Sequence, residues 1–381
     1  MILPDTGEVP RLARIVAVLA VPVFLAGCAG MEGPAAPVPR PLTPDEGRAL
    51  VRKALPETVK DRAGWATDLY AALAALDLPV TAENVCAAVA VIGQESGFVV
   101  DPPVPGLAGI ARKEIDRRRE AAHVPKLALD AALALPSTTG VSYGDRLDAV
   151  KTEQQLSDLY EDFIGRVPFG KTLLADRNPV RTGGPMQVSI AFAESSAADG
   201  PYPYPVRDSI RREVFTRRGG VYFGVAHLLD YPAAYPVPLY RFADYNAGRY
   251  ASRNAAFQNA VSAASGIPLE LDGDLLRYAD GAPAREPGST ELAVRVLARR
   301  LDMTSDDIRR DLAREKQPAF AQTRAYVGVF ELADRGGSPL PRAVVPKIPL
   351  SSPKITRPLT TEWFATRVDA RYQACRKRLA A

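Results

Sequence analysis

The chain has 381 residues, 47% hydrophobic and 24% charged, ordinary proportions for a globular protein, and its size allows one large or two smaller domains without a disulfide staple. A formal charge of +4 is too small to indicate nucleic acid, and no Lys/Arg block interleaves with aromatic residues. Two histidines, His123 and His227, and no HExxH argue against a zinc peptidase, so no metal and no cofactor is expected.

Taken from the N-terminus, Arg11 and Arg14 precede an apolar run from Ile15 to Leu25 that ends in Leu25-Ala26-Gly27-Cys28. A short basic segment, an apolar stretch too short for a comfortable membrane span and small residues before a cysteine read as a secretory signal over residues 1–27. The ending resembles a bacterial lipobox, which implies lipidation of Cys28 and stable membrane anchoring by several acyl chains. Ala29, where an Asp commonly retains lipoproteins in the inner membrane, points to the outer membrane of a Gram-negative bacterium, with the chain facing the periplasm. Residues 28–43, with Pro34, Pro37, Pro39 and Pro41, bury little and read as a semi-rigid tether.

The rest reads as mainly α. Thr43 caps a first helix from Pro44 to about Leu55, and Trp65, Leu69, Tyr70, Leu73 and Leu76 mark a second from Asp61. A third, capped by Thr81, runs from Ala82 to about Ser96 with Val85, Val89 and Ile92 on one stripe. Helical patterns follow over 113–135, broken near Pro125, and over 146–166, 188–196, 221–230 and 246–264. A loop-rich boundary is expected at 266–288, then helices over 290–301, 305–315 and 320–334, a proline-rich extended stretch over 336–358 and a last helix capped by Thr360 or Thr361. No strand pattern stands out. Cys86 and Cys375 remain once Cys28 is set aside; an oxidising compartment permits a bridge, but the sequence favours two unrelated buried thiols.

Three short islands carry the chemistry: Gly93-Gln94-Glu95-Ser96-Gly97-Phe98, Gly183-Gly184-Pro185-Met186-Gln187 and Phe242-Ala243-Asp244-Tyr245-Asn246-Ala247-Gly248. Glu95 continues the apolar stripe of the third helix and ends it. Burial and the negative pole of the helix macrodipole both disfavour its anion, as a general acid requires. Ser96 and Gly97 break the helix, so that Glu95 faces a cleft. The twin glycines allow close backbone approach to a sugar, and Gln187 offers hydrogen bonds to hydroxyl or acetamido groups.

In this order the islands resemble the signature of soluble-type lytic transglycosylases, lysozyme-like enzymes that cut peptidoglycan glycan strands. Pro185 stands where the family usually has Leu, and Asp244 is inserted before the Tyr-Asn-Ala-Gly element. The resemblance implies a goose-type, lysozyme-like helical domain over 44–266 and extra C-terminal helices over 289–381. It implies Glu95 as the catalytic residue and Ser96, Met186, Gln187, Tyr245 and Asn246 as substrate-binding residues, with the Tyr245 hydroxyl orienting Glu95 and Asn246 engaging the N-acetyl sugar. Gln187 follows Glu95 by 92 positions, where the family has a couple of dozen or fewer, so a helical insertion over about 101–175 is expected. Asp101, Glu194 and Asp244 lie near the islands but in no matching motif. The implied route is therefore the single-glutamate one, which forms 1,6-anhydro ends and needs no cofactor. The implied partners are glycan strands and, through Cys28, a membrane.

Two rival readings differ in class. Gly140-Val141-Ser142-Tyr143-Gly144 spells the serine-hydrolase elbow, but a polar turn precedes it where a buried strand belongs, and His227 reads as a helix-face residue. The stronger rival is a peptidoglycan-binding lipoprotein whose catalysis is weak or lost, for which Pro185 and the long insertion leave room.

Overall fold

A computed structural model describes residues 42–200, 202–279, 281–350 and 357–381. The expected signal segment, Cys28 and the tether as far as residue 41 lie outside the described residues. The chain is mainly helical. Helix α1 (Pro44–Ala54) opens with a capping box in which the Thr43 hydroxyl accepts from the Glu46 amide and the Glu46 carboxylate accepts from the Thr43 amide. After α2 (Arg62–Ala75), α3 (Ala82–Glu95) starts where the Thr81 hydroxyl accepts from the Asn84 amide. Helices α4 (Leu107–Ala121), α5 (Lys126–Ala134), α6 (Tyr143–Ala149), α7 (Glu153–Arg166) and α8 (Gly170–Leu174) occupy the stretch up to the second island.

There β1 (Thr182–Gly183) pairs antiparallel with β2 (Val188–Ser189), Thr182 opposite Ser189, and α9 (Ile190–Asp199) follows directly. Next come α10 (Ile210–Val214), α11 (Arg217–Leu229), α12 (Leu239–Ala247) and α13 (Ala251–Ser265). The remainder holds the hairpin β3 (Tyr278–Ala279) and β4 (Ala282–Pro283), helices α14 (Ser289–Val296), α15 (Ala298–Leu301), α16 (Ser305–Leu312) and α17 (Arg324–Asp334), the hairpin β5 (Pro349–Leu350) and β6 (Leu359–Thr360), and α18 (Thr361–Ala380). Strands of two residues are too short to leave an alternating pattern, which is why the sequence shows none.

Among the expected helices, 290–301 is a pair, α14 and α15, and two others are also pairs. The run 146–166 breaks at Val150, and Thr152 caps α7 by accepting from the Gln155 amide. The run 246–264 breaks at Gly248, whose φ of 105° and the left-handed Tyr250 after it turn the chain between α12 and α13. The third island therefore ends a helix instead of starting one.

Two apolar clusters form the interior. The first gathers α1, α2 and α3 with α11 and α12, and includes Phe364, Val368, Tyr372 and Cys375 of α18. The second joins α13 to α14, α16 and α17 through Phe257, Val261, Val294, Ile308, Phe320 and Phe330. Helix α18 thus returns to the first cluster and packs on α3 and α12. Cys375 on this helix is bonded to Cys86 of α3, which corrects the expectation of two separate thiols. The pair is 289 positions apart in sequence, and only the return of α18 brings it together. Among the described residues no helix is long and apolar enough to cross a membrane.

Candidate active site

Residues 85–92 of α3 are buried on every side, so the helix runs through the interior and delivers its last residue, the half-buried Glu95, at its carboxyl end. The end is closed locally. The Ser96 amide (3.1 Å) and hydroxyl (3.2 Å) both donate to the Ile92 carbonyl, so the Ser96 hydroxyl is engaged with its own helix. Gly97 (φ 59°) and Phe98 (φ 66°) then reverse the chain, and the Phe98 ring sets edge-on against Trp65, centroids 5.4 Å apart.

The second island forms the turn of the β1–β2 hairpin. The Gln187 amide donates to the Gly184 carbonyl (3.0 Å), with Gly184 at φ 70° and Gln187 at φ 51°. The Gln187 side chain accepts from the Thr182 hydroxyl (3.2 Å) and donates to the Gly184 carbonyl (3.4 Å). The twin glycines serve this turn. A methyl on Gly183 would enter the Phe215 ring, and one on Gly184 would land on the Val214 carbonyl. Helix α11 answers with glycines of its own: Gly220 lies under Pro185 and Gly224 under the buried Met186. Pro185 thus packs onto a helix that has been hollowed to receive it.

The third island brings Tyr245 to the same place. Its buried hydroxyl donates to the Met186 carbonyl at 2.7 Å, and burial together with the charge of Glu95 holds the phenol well above its usual pKa. The Tyr245 hydroxyl thus has a backbone partner at Met186 and lies within electrostatic reach of Glu95, the three drawn from separate parts of the chain. Asn246 lies on the exposed side of α12, where its Oδ1 accepts from the Thr361 hydroxyl at the start of α18 (3.0 Å). Asp244 is not a second carboxylate for the site. It is buried and accepts from the Tyr231 (3.1 Å) and Tyr235 (2.6 Å) hydroxyls and from the Tyr250 (2.9 Å) and Ser252 (2.7 Å) amides, tying α12 to α13. Burial raises its pKa against those bonds. Asp101 is half-buried and Glu194 exposed.

His227, on a face of α11, belongs to this neighbourhood. Its ring lies 5.0 Å from that of Tyr245 and 4.7 Å from that of Phe192, both edge-on, and its Nδ1 is shielded from solvent with no hydrogen-bond partner among the described residues. Burial, with the Arg249 guanidinium nearby, pushes the imidazole down to about 4, so it is neutral near pH 7. Its signal in the sequence is spacing: Gly220, Gly224 and His227 fall on one face of a 3.6-residue helix, the face turned to the hairpin. Ser142 of the apparent hydrolase elbow is the N-cap of α6, bonded to the Asp145 amide (3.0 Å) and carboxylate (2.7 Å). Among the described residues no group of three or more His, Cys, Asp or Glu side chains is arranged to hold a metal ion.

The arrangement of α3, the glycine-lined hairpin and α12 defines a helical protein with one carboxylate beside a buried tyrosine. Comparison places it in a family: the chain belongs to the one described as "Protein of unknown function (DUF1615)", which matches residues 58–378. It is similar to "Uncharacterized protein YaiW" of Escherichia coli (strain K12), 51% identical over 360 residues that cover 93% of this chain and 96% of the relative. No solved structure matches.

Proposed function

We propose that the protein is a lysozyme-like lytic transglycosylase that cuts the MurNAc-GlcNAc bond of peptidoglycan, with Glu95 as its single catalytic group. The observation that carries this reading is that Tyr245 is bonded to Met186 and within electrostatic reach of Glu95, one residue from each island, although 91 positions separate Glu95 from Met186 and 59 separate Met186 from Tyr245. In this reading Glu95 first gives its proton to the glycosidic oxygen as the bond to C1 breaks. Half-burial and the helix end both favour the neutral acid that this step needs. The resulting carboxylate takes the proton of the muramic acid 6-hydroxyl, whose oxygen bonds to C1, so no water is consumed. Tyr245, held by Met186, walls the acid, and Gln187 and Asn246 are the side chains we assign to the sugar.

The same reading lipidates Cys28 and puts the chain on the periplasmic face of the outer membrane. The Cys86–Cys375 bridge fits an oxidising compartment of that kind.

Digestion of purified sacculi with products read by mass spectrometry tests the activity. Anhydro-muramic ends are expected from the native protein, and Glu95→Gln should lower their yield by roughly a hundredfold or more, the scale of a lost general acid. Reducing ends would mean a hydrolase. Binding to sacculi without any cleavage would mean a glycan-binding lipoprotein.

A further inference from the structure

On the face of α3 turned away from Glu95, a cavity of about 430 Å³ opens between the turn at residues 56–60, the end of α3 and α18. Val89, Ala90 and Gly93 line it, and at 3.6 residues per turn Ala90 and Gly93 lie across the helix axis from Glu95. Its floor is apolar, with Val59, Val89 and Phe98, while Lys60, Arg371 and Arg378 also line it and no carboxylate does. We propose that this cavity binds an oxyanion, carboxylate or phosphate monoester, carried on an apolar body. The inference does not depend on glycan cleavage.

The two arginines are in different states. Arg378 is held by the Ala54 carbonyl through Nε (3.1 Å) and Nη2 (2.9 Å). Arg371 makes one long bond, Nη1 to the Arg367 carbonyl of its own helix (3.3 Å), and no ion pair among the described residues. A guanidinium has five donors, so most of those on the half-buried Arg371 are open to solvent or to a ligand in the cavity. Burial and like charge act on both: Arg371, near Arg367, and Arg378, near Arg62, are pushed below the usual arginine range. Three cations line the cavity with no carboxylate among the lining residues, which favours an anionic ligand. The volume falls in the range of small-molecule sites. Gly93 and Gly97 leave the helix-end wall without side chains. The Cys86–Cys375 bond fixes α18 on α3, with Arg371 and Arg378 on either side of Cys375 in sequence, so the charged wall is set before any ligand arrives.

Isothermal titration of the purified protein with octanoate, octyl phosphate, octanol and inorganic phosphate tests the assignment. At least one of the two octyl anions should bind saturably at one site, with octanol and inorganic phosphate at least roughly tenfold weaker. Whichever octyl anion binds more tightly identifies the headgroup. Arg371→Gln should weaken that binding by roughly tenfold, and the exposed Lys60→Gln should weaken it less, both with an unchanged melting temperature in the absence of ligand. Equal binding of octanol would reduce the site to an apolar cavity. Equal binding of inorganic phosphate would remove the apolar requirement. Saturable binding of neither octyl anion, or an affinity indifferent to Arg371, would overturn the proposal.

Discussion

Gly184 and Gly97 both hold left-handed backbone near the candidate acid, and they should respond differently to the same change. A methyl at Gly97 meets open space, so Gly97→Ala carries only the backbone penalty of about 1–2 kcal/mol. At Gly184 the methyl also strikes the Val214 carbonyl, so Gly184→Ala adds displacement of the hairpin to that penalty. Denaturant unfolding should rank Gly184→Ala as the more destabilised of the two. If the sacculus assay reports activity, it should fall further in Gly184→Ala as well, because Met186 sits in the displaced turn. The Tyr245 hydroxyl offers a finer probe. Tyr245→Phe leaves a buried carbonyl at Met186 without its donor and should cost about 1–3 kcal/mol, read as a lower denaturation midpoint at constant m-value.

Helix α18 is distant in sequence from the helices it packs on, and its disulfide to α3 is the covalent part of that packing. A loop of this length places the stabilisation in the upper part of the usual range. Replacing both cysteines, Cys86→Ser with Cys375→Ser, should lower stability by about 2–5 kcal/mol. The melting temperature of the native protein should drop under reductant, and that of the double variant should not. A native melting temperature indifferent to reductant would show that noncovalent packing alone secures α18. Thr361, which bonds Asn246 from the start of the same helix, makes the exposed end of the third island depend on that packing too.

Acid stability draws these parts together through His227. In the fold its pKa is about 4, against 6.5 for a free imidazole, so the folded state resists a proton that the unfolded chain accepts. Well above pH 6.5 the residue is neutral in both states and contributes nothing to the pH dependence. As pH falls from 6.5 toward 4 the unfolded state gains, and stability declines by up to about 1.4 kcal/mol per pH unit from this group. The sign is that of a depressed pKa: stability is present at high pH and lost on acidification. His227→Phe keeps the aromatic packing against Phe192 and Tyr245 while removing the titration. Its unfolding free energy should therefore decline less steeply than the native protein's between pH 6.5 and 5, and parallel curves would refute the neutral, buried assignment.

What was legible in the sequence is what lies within one helical turn of its cause. The caps at Thr43, Thr81 and Thr360 bond amides three residues on, the apolar stripe of α3 repeats every three or four residues, and Glu95 is marked by the Ser-Gly that stops its helix. The mainly α architecture follows from such signals. Other features have causes far along the chain. The partner of Tyr245 is 59 positions away, the reason for Gly183 and Gly184 lies in α10 and the residue after it, and Cys86 meets Cys375 only because α18 returns to the first core. Hydrophobic periodicity states which face of an element is buried but not which element covers it, because burial of apolar area is non-directional. The choice of partner is made by packing, which brings the Tyr245 hydroxyl to the Met186 carbonyl and seats the twin glycines against Val214 and Phe215.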